Sequence, residues 1–171
     1  MFALLIACAD STPTGAGKGF EAYAGDVGRL YELVQPAADV ADTGDTGDTA
    51  AVAAPTGASR WLRVEDGAWV LTEGDDVDTA AAIATWAVER EGGLVVDTQK
   101  LLPPNVVEGA SADGARVRAI GPWTTWYGTF PTAAEIAVAD GPWKGTQVFA
   151  EGVGPVSLTI GGVVWEMAWY E

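Results

Sequence analysis

Histidine is absent from the 171 residues, and cysteine occurs once, at Cys8. Without histidine the chain lacks the commonest general base near neutral pH and the commonest metal ligand, which removes most hydrolase and zinc-site readings. A single cysteine cannot form an intrachain disulfide. Basic residues are scarce too: 9 Lys and Arg stand against 24 Asp and Glu, for a formal charge of −15. Such a field repels phosphate backbones and anionic lipid surfaces, so nucleic acid is not an expected partner. No stretch approaches the roughly 20 apolar residues of a membrane-spanning helix.

The 8 Trp and 22 Gly are high for this length and favour β architecture over a helix bundle. Strand and turn signals agree from residue 59 onward. Trp61–Glu65 and Ala68–Thr72 flank Asp66-Gly67, a hairpin signature. Residues 94–97, 115–120, 123–130, 134–139 and 143–149 follow, with turn signals between them at the spacing of an antiparallel meander. Gly161-Gly162 joins a last pair of strands, and Gly152 and Gly154 interrupt the first of these, marking a bulge or kink. The run 79–91 fits helix by its alanines and strand by its alternation, and the Gly92-Gly93 that follows tips it to strand. Pro103 and Pro104 rule out a central strand, so residues 101–111 are expected to cross between parts of the sheet. Residues 28–35 read as a first strand or a short helix, ended by Pro36. The fold class predicted is all-β and mainly antiparallel, a curved meander sheet, half-barrel or sandwich behind a disordered N-terminal tether.

The tether spans 9–27. Its Gly15-Ala16-Gly17-Lys18-Gly19 is no phosphate loop, since a hydroxyl residue after Lys18 and a preceding strand are both missing. Residues 36–58 form an acidic low-complexity linker in which Asp42, Asp45 and Asp48 recur every third residue. Calcium is the sharper reading of these carboxylates, but the ligand alternation and closing Glu of a calcium loop are lacking, so no metal is assigned. No cofactor motif is present.

Leu5-Ile6-Ala7-Cys8 resembles the lipobox of bacterial lipoprotein signal peptides, in which the cysteine is lipidated and becomes the first mature residue. Residues 1–8 would then be a signal remnant, Cys8 the membrane anchor, and the acidic run a spacer similar to those that hold surface lipoproteins off the membrane. No Lys or Arg precedes the apolar run, and the run is short for a signal peptide; an ordinary apolar terminus with an incidental thiol is the alternative. Further on, Phe149-Ala150-Glu151-Gly152-Val153-Gly154-Pro155-Val156 resembles the aromatic-Ala-Pro-Gly-Val-Gly-Leu-Val signature of uncharacterised bacterial secreted and lipoprotein β-domains, with Glu151 in place of Pro. Leu101-Leu102-Pro103-Pro104 and Gly128-Thr129-Phe130 are similar to further marks of that family. The resemblance implies a curved antiparallel half-barrel in the cell envelope, at the outer membrane or surface, and no reaction.

Three functions are weighed. A lipid-anchored, non-catalytic binding or structural module would use a concave sheet for an apolar ligand, with Trp165, Met167 and Trp169 on one face of the last strand as lining; packed core is the commoner role of such a stripe. A carbohydrate module would stack sugars on Trp123, Trp126 and Tyr127, although Trp123 and Trp126 face opposite ways if both lie in one strand. An enzyme would need two carboxylates from Glu89, Glu135 and Glu166, which in antiparallel strands ordinarily face solvent. The expectation is the first of these, not an enzyme, with no catalytic residue, cofactor or protein partner named.

Overall fold

A computed structural model describes residues 17–36, 59–74 and 76–171. Cys8 and its lipobox, residues 9–16 of the tether and the Asp42/Asp45/Asp48 repeat lie outside the described residues. The chain forms β1 (Lys18–Gly19), a 3-10 turn (Phe20–Ala22), β2 (Leu30–Val34), β3 (Arg60–Glu65), β4 (Ala68–Glu73), β5 (Ala81–Glu89), β6 (Leu94–Val96) and β7 (Gln99–Leu102). Then come β8 (Asn105–Val106), β9 (Ser111–Ala112), β10 (Ala115–Thr124), β11 (Thr129–Val138), β12 (Gly145–Ala150), β13 (Gly154–Ile160) and β14 (Val163–Tyr170). Among the described residues no helix is long and apolar enough to cross a membrane.

Twelve strands make one antiparallel sheet in the order β7-β6-β5-β4-β3-β2-β14-β13-β12-β11-β10-β9, curled into a nearly closed barrel. The fold is all-β, as the alternation and turn chemistry predict. Within 79–91 the strand is Ala81–Glu89, formed because Val70, Trp69 and Ala68 of β4 pair with Thr85, Trp86 and Ala87. That ladder outweighs alanine's helix preference. Pro103 and Pro104 carry the chain out of the large sheet, and Asn105–Val106 then pairs with Lys18–Gly19 as a separate two-stranded ribbon.

Two sequence expectations need correction. The part of the tether that is described, 17–27, is built into the molecule: Phe20, Tyr23 and Ala24 are buried. The Phe20 amide donates to Pro104 O at 3.1 Å, and Gly152 N donates to Ala22 O at 2.7 Å. The aromatic pair three residues apart supplies the apolar surface that docks this turn. Gly152 and Gly154 are also more than a kink, since the chain reverses at Glu151–Val153 and residues 149–160 divide between β12 and β13. At Gly161-Gly162, by contrast, both φ angles are positive, 59° and 83°, and the expected two-residue hairpin forms.

Alternate residues of each strand fill the barrel. Leu62, Val64, Trp69, Leu71, Val117, Ile136, Phe149, Leu158 and Met167 point inward with essentially no exposed surface. Trp143 sits among them, edge-on to Trp69 (centroids 5.9 Å apart, planes at 77°) and to Trp86 (4.9 Å, 63°). Among the described residues the one fully withdrawn polar side chain is Gln147, which replaces a missing stretch of ladder where β12 and β13 diverge. Its amide nitrogen donates to Trp143 O (2.6 Å) and Thr159 O (3.0 Å), and its oxygen accepts from Thr159 N (3.0 Å). The side chain thus does the work of a peptide group. At the opposite seam side chains of β7 reach the turn before β10 and the loop after β11: Gln99 Nε2 donates to Asp140 O at 2.5 Å, and Lys100 pairs with Asp113 at 3.0 Å.

Candidate functional site

Thr125–Gly128 connects β10 to β11 at one end of the barrel. Thr125 N donates to Gly128 O (2.9 Å), Gly128 N returns to Thr125 O (3.2 Å), and the hydroxyls of Thr124 and Thr129 share a hydrogen bond at 2.9 Å. This closed connection holds Trp126 and Tyr127 outward, 42% and 48% exposed. Tyr127 is braced from two sides. Its ring lies nearly parallel to Phe130 (6.1 Å, 14°) and meets Tyr170 edge-on at 5.3 Å, while Tyr170 stacks on Tyr31 and carries the Arg29 guanidinium 5.5 Å above it.

Beside this aromatic rim runs an open groove of about 460 Å³, lined by Phe130, Pro131, Thr132, Gly152 and Val153 with Lys18 and Glu151 across it. Lys18 and Glu151 form an ion pair, and the hydrogen bond to Glu151 raises the Lys18 pKa above its ordinary value. The groove floor is fixed by Tyr31, whose hydroxyl donates to Val153 O at 2.6 Å. Burial pushes the Tyr31 phenol far above its ordinary pKa, so it remains a donor. Gly25 and Gly154 close around that hydroxyl; their φ angles are 74° and 118°, and a Cβ at either position would overlap the Tyr31 oxygen. Exposed rings next to a polar, partly walled groove can stack on a flat apolar face and hydrogen-bond its edges.

A second depression of about 420 Å³ lies at the barrel seam between Asp97, Thr98, Gln99, Asp113, Asp140, Gly141 and Pro142. Among the described residues no group of three or more acidic, His or Cys side chains has the geometry to hold a metal ion.

The residues singled out from the sequence are dispersed. Trp165 and Met167 are buried in the core, and Trp169 is not on their face. A register shift between Met167 and Trp169 turns Trp169 outward, 38% exposed, against Trp61 at 6.3 Å. Trp165 instead lies beneath the Arg60 guanidinium, 4.2 Å from its ring centre. Trp123 is half-buried against the core, whereas Trp126 and Tyr127 are together in the connection. Strand alternation does not govern them, since β10 ends at Thr124. Phe130 joins the rim as a near neighbour of Tyr127 in the chain, whereas Tyr170 and Lys18 reach it only through the pairing of distant strands.

The three carboxylates do lie in strands, at β5, β11 and β14. Glu166 opposes Ser157, Ser157 opposes Val148, and Val148 opposes Glu135. Three strand spacings, about 14 Å, therefore separate the two, against roughly 5–9.5 Å for paired glycosidase carboxylates. Burial raises the Glu166 pKa, and Glu135 is 3.6 Å from Arg118. Comparison with protein-family models, curated proteins and solved structures gave no match.

Proposed function

We propose that this chain is a non-catalytic binding module of the bacterial cell envelope, and that it holds a carbohydrate against Trp126 and Tyr127. The observation that carries the reading is the exposure of these two rings in a hydrogen-bonded connection, with Tyr127 stacked on the Phe130 that lines a groove with Lys18, Glu151 and Thr132. Most other large aromatics are withdrawn, Trp69, Trp143, Tyr31 and Phe149 fully so, and exposing a ring carries a solvation cost that burial would relieve. A sugar offers what the rim needs: a C–H face for the rings and hydroxyls for the carboxylate, ammonium and Thr132. An apolar ligand inside the sheet is disfavoured because Trp165 and Met167 pack into the core.

The envelope assignment rests on the lipobox-like Leu5-Ile6-Ala7-Cys8 and on the resemblance of Phe149–Val156 to secreted β-domains. Lipid on Cys8 would be the contact with the membrane, at the outer membrane or cell surface. Intact mass and detergent partitioning of protein expressed from its native upstream region tests it, with acylated Cys8 at the start of the mature chain expected and an unmodified Cys8 overturning the anchor.

Calorimetric titration with a panel of soluble glycans tests the ligand. At least one glycan is expected to bind, and Trp126→Ala or Tyr127→Ala to weaken it about tenfold, one stacking contact each. If no glycan binds, or both variants bind as tightly as the parent, the carbohydrate reading falls.

A further inference from the structure

Strand β5 is paired along most of one edge but only at the C-terminal end of the other. From Ala81 to Ala87 it is laddered to β4, but β6 reaches its other edge only at Val88 and Glu89, with Asp97 N donating to Ala87 O. Among the described residues, nothing pairs with that second edge from Ala81 to Trp86. The same stretch is apolar and open to solvent: Ala81, Ala82, Thr85 and Ala87 are exposed, and Ile83 is 47% exposed. No charged residue occurs from Thr79 to Val88.

A free edge ordinarily carries Lys, Pro or an inward charge that discourages pairing with another chain. Here the single such device is a bulge, because Leu71 pairs with Ala84 and Thr72 with Ala82, leaving Ile83 without a partner. We propose that the free edge of β5 receives an extended segment of a partner protein by strand addition, and that this segment carries β-branched or apolar residues at its centre and Lys or Arg at both ends.

Backbone N–H and C=O groups of Ala81–Trp86 would give affinity, and the flanks give the choice of partner. Asp76 and Asp78 precede the free stretch, and Glu89 and Glu91 follow it. Arg90, the cation between them, is turned away to Gly25 O at 2.8 Å. A second copy of this chain is a poor occupant. Antiparallel self-pairing would set the Asp76/Asp78 end of one copy beside the Glu89/Glu91 end of the other, between molecules that each carry a charge of −15.

The test uses the full chain and a fluorescent peptide, Lys-Lys-Val-Thr-Val-Thr-Val-Lys-Lys, followed by anisotropy. Saturable binding that weakens with salt is expected. The same core flanked by Glu should not bind, and N-methylation of alternate peptide nitrogens on the pairing edge should abolish binding. Ile83→Lys, at an exposed position, should weaken it about tenfold or more by placing a cation against the peptide's own. Thr85→Lys serves as the second variant should Ile83→Lys lose the native circular dichroism. Equal binding of the N-methylated or Glu-flanked peptide, or no binding at all, overturns the proposal. So does concentration-dependent dimerisation in sedimentation that Ile83→Lys removes, which would assign the edge to a second copy.

Discussion

Trp69 and Trp143 lie at the centre of the barrel with no exposed surface, whereas Trp126 and Tyr127 stand at its rim nearly half exposed. Both regions are aromatic clusters held by edge-on and stacked contacts. They differ in what the rings face. In the barrel every ring surface meets another side chain, so the cluster holds the sheets together; at the rim one surface of each ring is left for something else. Aromatic content alone therefore says little about binding. The backbone that presents the ring decides.

The sharpest way to break this contrast is truncation. Trp143→Ala should cost about 3–5 kcal/mol, read as the shift in a urea unfolding midpoint, because the cavity left against Trp69 and Trp86 cannot collapse. Tyr127→Ala should change stability by no more than about 1 kcal/mol while weakening glycan binding about tenfold. Equal destabilisation by the two would make the rim part of the core. Trp143→Phe should be milder than Trp143→Ala because it leaves the smaller cavity, and neither variant forfeits a hydrogen bond, since the indole nitrogen has no partner among the described residues.

Next in size is Gln147→Leu, expected to cost about 3 kcal/mol because it leaves Thr159 N–H and two carbonyls buried without partners. Hydrogen exchange should show the Thr159 amide losing protection selectively. Gly154→Ala follows at about 2 kcal/mol, from its positive φ and the collision with Tyr31, and it should disturb the groove floor through Val153. Thermal unfolding and the rim's glycan affinity, measured together, separate a general loss from a local one.

Smallest is Glu166→Gln. Burial raises the folded-state pKa of Glu166 above its unfolded value, so the folded protein holds that proton more tightly. The resulting penalty is absent below the ordinary carboxylate range and grows as pH rises through the folded value. The substitution should therefore raise Tm by on the order of 1 °C at neutral pH and leave it unchanged in acid.

Much of the fold was legible in local chemistry. Asp66-Gly67, Asp113-Gly114 and Gly161-Gly162 each mark a strand-to-strand turn, because such turns need a left-handed residue and glycine supplies it. The turn between β6 and β7 gave no such sign. Asp97 and Thr98 adopt φ of 47° and 70° with no glycine, and a β-branched residue there is held by the flanking ladder rather than by its own preference. The one-face stripe of Trp165, Met167 and Trp169 failed for a related reason: a single extra residue in β14 shifts the register, and nothing in Met-Ala-Trp announces it. The rim was half legible. Trp126 and Tyr127 could be named from the sequence, but Tyr170 and Lys18 come from β14 and β1, which only long-range pairing brings to the rim.

The placement of β14 has a consequence for how the barrel is made. It lies between β13 and β2, pairing on the β2 side with residues more than a hundred positions earlier in the chain, and among the described residues it makes the one backbone ladder between the β2–β7 and β9–β13 portions of the large sheet. Until residues 163–170 are synthesised and inserted, each portion presents an unpaired inner edge and an apolar face. Such a non-local closing step is expected to slow folding. Kinetically, β14 acts as a keystone, and a chaperone that shields β2 and β13 during synthesis should raise the yield of folded protein more than any change at the rim.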